Sequence, residues 1–153
     1  MTPHSSLLTP HSTPPPSSLP TPHIAIVGTG YWGKHLVRNF HDLGALKLIC
    51  ESNETLIDHF RTQYPDLESC VAFNDVLSRD DVDSVVIATP AETHFALARE
   101  ALAAGKHVYV EKPMALYEDE AAELITLADE KKVVLMVGHI MQYHPLFCHL
   151  HDV

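Results

Sequence analysis

From His23 onward the chain alternates two apolar patterns. Short β-favouring runs carry no interleaved polar residues. Between them lie stretches whose apolar residues recur every three or four positions, the spacing of a helix face. Residues 24–27 (Ile-Ala-Ile-Val) form the first run, stopped by Gly28. Trp32, Leu36, Val37, Phe40 and Leu43 then mark a helix over 32–43, ended by Gly44. Residues 46–50 read as a second strand. Asn53 is placed to cap a helix running to about Tyr64, where Pro65 stops it. A short strand is predicted near 70–73, with a helical turn at 75–78. An apolar strand over 84–88 ends at Thr89-Pro90, and a helix over 92–104 ends at Gly105. Residues 107–110 make a strand, 117–131 a helix, and 133–137 a last strand closed by Gly138.

Strands without period-two polarity are buried on both faces. Alternating with helices, they predict a parallel sheet covered on both sides. Right-handed crossovers make this a doubly wound α/β domain, the Rossmann arrangement. Its expected extent is 23–145. Residues 1–22 are different: they hold 7 of the 11 prolines and no Lys, Arg, Asp or Glu. Too little apolar surface is available there to offset the entropy of ordering, so a disordered Pro/Ser/Thr-rich tail is expected.

Composition narrows the partners. Ten basic against twenty acidic side chains give a net charge of −10. A chain of that sign does not hold nucleic acid or an anionic membrane by its bulk field. No apolar run has the ~18–20 residues of a membrane span. The three cysteines fit neither a disulfide framework nor a zinc spacing, which points to a reducing, cytoplasmic setting. Twelve histidines include no H-E-x-x-H pattern, so no metal is expected.

Gly28-Thr29-Gly30-Tyr31-Trp32-Gly33 reads G-x-G-x-x-G after a strand and before a helix. In that setting Gly28 makes the tight turn and Gly30 lets backbone approach a pyrophosphate. Gly33 lets the helix pack closely, and the helix N-terminus offers N–H donors to the phosphates. Glu51, at the end of the second strand, is where an acid accepts from the adenosine ribose hydroxyls. A carboxylate there repels a 2′-phosphate, and positions 50–53 hold no Arg or Lys to receive one. NAD is therefore favoured over NADP. Cys50 beside it reads as a buried strand residue rather than a nucleophile.

A second region runs from Ala88-Thr89-Pro90-Ala91-Glu92-Thr93-His94 through Ala104-Gly105-Lys106-His107-Val108 to Glu111-Lys112-Pro113. With the glycine fingerprint, the T-P-x-x-x-H turn and the E-K-P ending resemble the Gfo/Idh/MocA oxidoreductases, the glucose–fructose oxidoreductase and inositol dehydrogenase family. The likeness covers roughly residues 23–145. Gly138-His139-Ile140-Met141-Gln142-Tyr143-His144-Pro145 is similar to the nucleotide-sugar 3-dehydrogenases of that family, which oxidise C3 of UDP-N-acetylglucosamine or its uronate.

The resemblance implies hydride transfer between a nicotinamide and a sugar or nucleotide-sugar carbinol carbon. It places Gly28, Gly30, Tyr31, Trp32 and Gly33 around the pyrophosphate and Glu51 at the adenosine ribose. Thr89, Pro90 and His94 would line the nicotinamide side, with Glu111 and Lys112 at the open crevice. Lys112 is the catalytic candidate: an ammonium lowers the pKa of a nearby hydroxyl and orients it, and partial burial would let it exchange the proton. A cis Lys112–Pro113 bond is compatible with the sequence. His139 is a second catalytic candidate, and Tyr143 and His144 are candidates for substrate contact. Family members carry a further domain after this one, which supplies much of the substrate pocket and the oligomer sheet. Residues 146–153 would begin the connection to it. The expectation is a truncated chain with little activity alone and doubtful homo-oligomerisation. A stand-alone NAD-binding or redox-sensing module, and a non-catalytic remnant, are the alternatives.

Overall fold

The computed structural model describes residues 21–151. The expected tail thus lies almost wholly outside the described residues, as do the last two positions. Six strands form one parallel sheet: β1 (Ile24–Val27), β2 (Leu46–Cys50), β3 (Glu68–Cys70), β4 (Ser84–Ile87), β5 (His107–Val110) and β6 (Leu135–Val137). Their order is β3-β2-β1-β4-β5-β6. The chain therefore winds outward from β1 to one edge, returns to pair β4 against β1, and winds to the other edge. That reversal is the switch point of a doubly wound sheet, where a crevice opens beyond the carboxyl ends of the strands.

Helices α1 (Gly33–Asp42), α2 (Glu54–Gln63), α3 (Phe73–Leu77), α4 (His94–Ala103) and α5 (Glu118–Lys131) connect the strands, and α6 (Pro145–His151) follows β6. Alternate residues of β1 feed two cores. Ile24 and Ile26 pack with Val37 of α1 and Phe60 of α2. Ala25 and Val27 pack with Val76 of α3, Ala98 and Leu102 of α4, and Leu124 and Ala128 of α5. Both faces of the strand are dry, which is why its sequence shows no polar alternation.

The register aligns the strand ends. Val27 pairs with Cys50 and with Ile87, Cys50 with Cys70, Ile87 with Val110, and Val110 with Val137. The residues that follow these positions share one rim, and Gly28, Glu51, Ala88, Glu111 and Gly138 all stand on it.

Several boundaries differ from expectation. β3 occupies Glu68–Cys70 rather than 70–73, because its pairing with Leu48–Cys50 fixes it. Phe73 instead opens α3, which replaces the turn expected at 75–78, and from there packs against the core. β6 begins at Leu135 rather than 133. Lys132 is left-handed (φ 57°), Val133 N–H donates to Ala128 O to close α5, and Val134 N–H donates to His107 Nδ1 at 2.9 Å. A 3-10 turn at Ala91–Thr93 precedes α4, where one continuous helix from 92 was expected. α6 falls partly on residues expected to begin a connection.

Candidate dinucleotide site

The loop from β1 into α1 is tight. Gly28 has φ +83°, and a Cβ on it would sit 2.8 Å from Thr89 Cγ2. A Cβ on Gly33 would lie 2.1 Å from the Gly28 carbonyl oxygen and 3.5 Å from the Ala88 Cβ. This glycine is thus demanded by closure of the loop on itself, and less by the helix–strand contact that the fingerprint suggests. Gly30 is the opposite case: nothing lies within 4 Å of where its Cβ would be. No protein atom requires a glycine there. The open space is what a ligand approaching the backbone needs. The N-terminus of α1 has no side-chain cap and no acid in its first turn, so its positive end is left for an anion. Tyr31 is 84% exposed, with the Lys34 ammonium 5.3 Å from its ring centroid.

Glu51 faces this loop across the rim. Its Oε2 accepts from the Thr29 N–H and the Thr29 hydroxyl, both at 2.8 Å, and its Oε1 accepts from Asn53 N–H at 3.0 Å. Partial burial pushes the carboxyl pKa up. The hydrogen bonds from Thr29 and Asn53 outweigh this and hold it below the ordinary value. Glu51 is therefore an ionised pin between β2 and the phosphate loop. Thr29, itself 1% exposed, is a site residue that pattern reading passes over, since it fills a variable position of the fingerprint. Cys50 is buried, and burial with neighbouring Cys70 pushes its thiol up to about 12, which leaves it no thiolate character at neutral pH.

Beyond β4, β5 and β6 lies a cleft of about 270 Å³ lined by Trp32, Thr89, His94, Glu111, Lys112 and Ile140, among others. Glu111 is its hub. Its Oε1 accepts from the Trp32 indole N–H at 2.6 Å and the Tyr109 hydroxyl at 3.0 Å. Burial, then the Glu111 carboxylate, push the Tyr109 phenol above its ordinary range and keep it a donor. Gly138 presses on this hub: a Cβ there would come within 2.7 Å of the Tyr109 hydroxyl and 2.9 Å of the Glu111 carboxyl. The first turn of the phosphate loop is thereby tied to the end of β5. Tyr109 had a sequence signal, a phenol in a short strand, and Gly138 read as a strand stop and as the first residue of the segment running to Pro145.

Thr93 Oγ1 donates to Pro90 O at 2.7 Å, so Thr89 supplies the hydrogen in the 2.7 Å Thr89–Thr93 hydroxyl pair. His94 is buried beneath this turn. Lys112 is exposed at the wall of the cleft, so the burial that would ease proton exchange is not provided by the described residues. The Lys112–Pro113 bond is cis. His139, Tyr143 and His144 are exposed on the segment after β6, outside the cleft lining, to which Ile140 of the same segment belongs. Among the described residues, no group of three His, Cys, Asp or Glu is placed to hold a metal.

The residues present fit a dinucleotide: open space at Gly30, an uncapped helix N-terminus, an ionised acid at the end of β2, and a cleft at the switch point. Comparison with known proteins decides the family. Residues 23–139 match the sequence model of the Gfo/Idh/MocA oxidoreductase family, NAD-binding Rossmann fold. The chain belongs to this family. A UDP-N-acetylglucosamine 3-dehydrogenase of Acidithiobacillus ferrooxidans is 32% identical over 130 residues, covering 82% of this chain and 39% of that protein. A 4-carboxy-2-hydroxymuconate-6-semialdehyde dehydrogenase of a Sphingobium species is 32% identical over 132 residues, 84% of this chain and 42% of the relative. The crystal structure of GenD2 from gentamicin A biosynthesis, in complex with NAD, superposes with a TM-score of 0.83 at 28% identity, over 95% of this chain and 41% of GenD2. The chain thus spans about two-fifths of the length of these proteins. Its matched residues 23–139 are the NAD-binding Rossmann fold of that family.

Proposed function

We propose that this domain binds NAD in preference to NADP and serves hydride transfer at a hydroxyl-bearing carbon of a sugar or nucleotide sugar, such as C3 of a UDP-N-acetyl sugar. The observation that carries the reading is the shared rim. One edge of the sheet holds an open phosphate loop, an ionised Glu51 and a cleft walled by Thr89, Glu111 and Lys112. Gly28, Gly30 and Gly33 shape the pyrophosphate site, with Tyr31 and Trp32 beside it. Glu51 would turn toward the adenosine ribose lone-pair positions left after its bonds to Thr29 and Asn53, and its charge disfavours a 2′-phosphate. Thr89, Pro90 and His94 frame the nicotinamide side.

A bound nicotinamide supplies the hydride acceptor at C4. The chain's own contribution is Lys112. Its ammonium, at the cleft wall, donates a hydrogen bond to the substrate hydroxyl and stabilises negative charge on that oxygen as the carbon gives up hydride. The hydroxyl proton passes to solvent water at the exposed mouth of the cleft. His139, Tyr143 and His144 stand on the segment whose Ile140 lines the cleft, and contact with the remainder of a sugar substrate is the role assigned to them.

Lys112→Ala tests the assignment. NADH affinity is expected to stay within a few-fold, while nicotinamide reduction with UDP-N-acetylglucosamine and NAD falls by ~10²-fold or more, whether by the chain alone or with the remainder of a related enzyme supplied. Turnover retained in the variant would reject Lys112.

A further inference from the structure

His94 is the first residue of α4 and is 1% exposed. Its Nδ1 lies 2.7 Å from the carbonyl oxygen of Pro113, and its Nε2 lies 2.8 Å from the carbonyl oxygen of Thr89. Carbonyl oxygens only accept. A neutral imidazole has one N–H and one lone pair, so it can satisfy one of these contacts and would point its lone pair at the other oxygen. With the ring 1% exposed, a lone pair held at hydrogen-bond distance from a carbonyl oxygen is an unmade bond. Both contacts are hydrogen bonds only when each ring nitrogen carries a proton.

The two acceptors belong to different turns. Thr89 begins the turn after β4, and Pro113 follows Lys112 at the exit of β5. The ring is a strut between them. Its two ends set how far the backbone at Pro113 stands from the Thr89–Pro90 wall of the cleft. Lys112 and Glu111 are the charged side chains that line the same cleft. With both ring nitrogens already engaged, His94 has no donor left for a cofactor.

We propose that His94 is a positioning residue: a doubly protonated imidazole that ties the turn after β4 to the exit of β5 and thereby fixes where Lys112 stands. Its value for catalysis rests on the reading of Lys112 given above. The strut itself does not.

The test uses the whole chain labelled with 15N in histidine at neutral pH, without cofactor. The His94 resonances are assigned by their loss in His94→Gln. Both ring nitrogens are expected to show proton-bearing shifts, slow to exchange. One protonated and one bare nitrogen would overturn the proposal. The glutamine amide carries both of its N–H donors on one nitrogen and an acceptor oxygen at its other corner, so it cannot donate from two opposed ends as the ring does and holds only one of the two turns. In a cooperatively folded His94→Gln variant, NADH affinity read by Trp32 emission is expected to fall roughly tenfold, since a displaced wall misplaces the bound ring. Unchanged affinity would also overturn the proposal. If the glutamine variant does not fold, His94→Asn serves for assignment and the nitrogen shifts of the unaltered protein decide. A wild-type chain that binds no NADH defeats the proposed function and leaves the nitrogen measurement to judge the strut.

Discussion

At the scale of single residues, the site is a set of polar groups that spend most of their hydrogen bonds on one another. Glu51 shows the consequence for stability. Its folded-state pKa lies below its unfolded value of about 4.3. Its stabilising contribution is therefore complete above that value and is lost as pH falls through the folded one. Glu51→Gln should unfold at a lower temperature than the unaltered chain at pH 7, with the gap closing as pH drops below about 4. Thermal unfolding across that range checks it, and a gap that stays constant or widens in acid would mean that the charge of Glu51 is not what holds the loop.

The glycines and the acid proposed for cofactor binding were readable from the sequence because glycine and acid spacing report backbone geometry directly. The bonding among them was not. That Thr29 holds Glu51, or that Glu111 gathers Trp32 and Tyr109, depends on which strands are neighbours, and spacing along the chain is silent on that. The same limit explains the segment after β6. His139, Tyr143 and His144 were singled out by motif, but the short turn at Ile140–Tyr143 brings the side chain of Ile140 to the cleft lining.

At the scale of elements, strands buried on both faces and the capped helix α2 were legible. Asn53 does cap α2, its side chain accepting from Thr55 N–H at 3.0 Å. The errors sit where tertiary pairing overrides local preference. β3 is placed by its register with β2, and the start of β6 is delayed while the chain leaves α5. That exit is strained: Lys132 adopts φ 57° without being glycine. Lys132→Gly removes the Cβ clash but gives the unfolded chain more freedom, so a net stabilisation of about 0.5–1 kcal/mol is expected. A rise of a few degrees in Tm would show it. A fall would mean that the lysine side chain contributes more than its backbone costs.

At the scale of the whole molecule, the six-stranded order with its reversal between β1 and β4 accounts for the site's location before any residue is named. Two cores, one on each face, hold the strands in register so that their carboxyl ends form one edge. Each fully buried Ile or Leu in these cores is worth roughly 1.5–3 kcal/mol against exposure, and the rim residues stand directly on that packed base. The segment after β6 presents Ile140, Met141, Tyr143, Phe147 and Leu150 to solvent, an apolar surface beside the cleft. A protein of net charge −10 nonetheless offers an anion one local set of donors, at the N-terminus of α1.

Trp32, the sole tryptophan of the chain, stands within this site with its indole N–H on Glu111. Titrating the purified chain with NADH, and separately with NADPH, while following its emission tests the central claim most directly. A saturable quench, tighter for NADH, is the expected result. A flat response from a cooperatively folded sample would contradict an assembled dinucleotide site, and equal or tighter binding of NADPH would contradict the role given to Glu51.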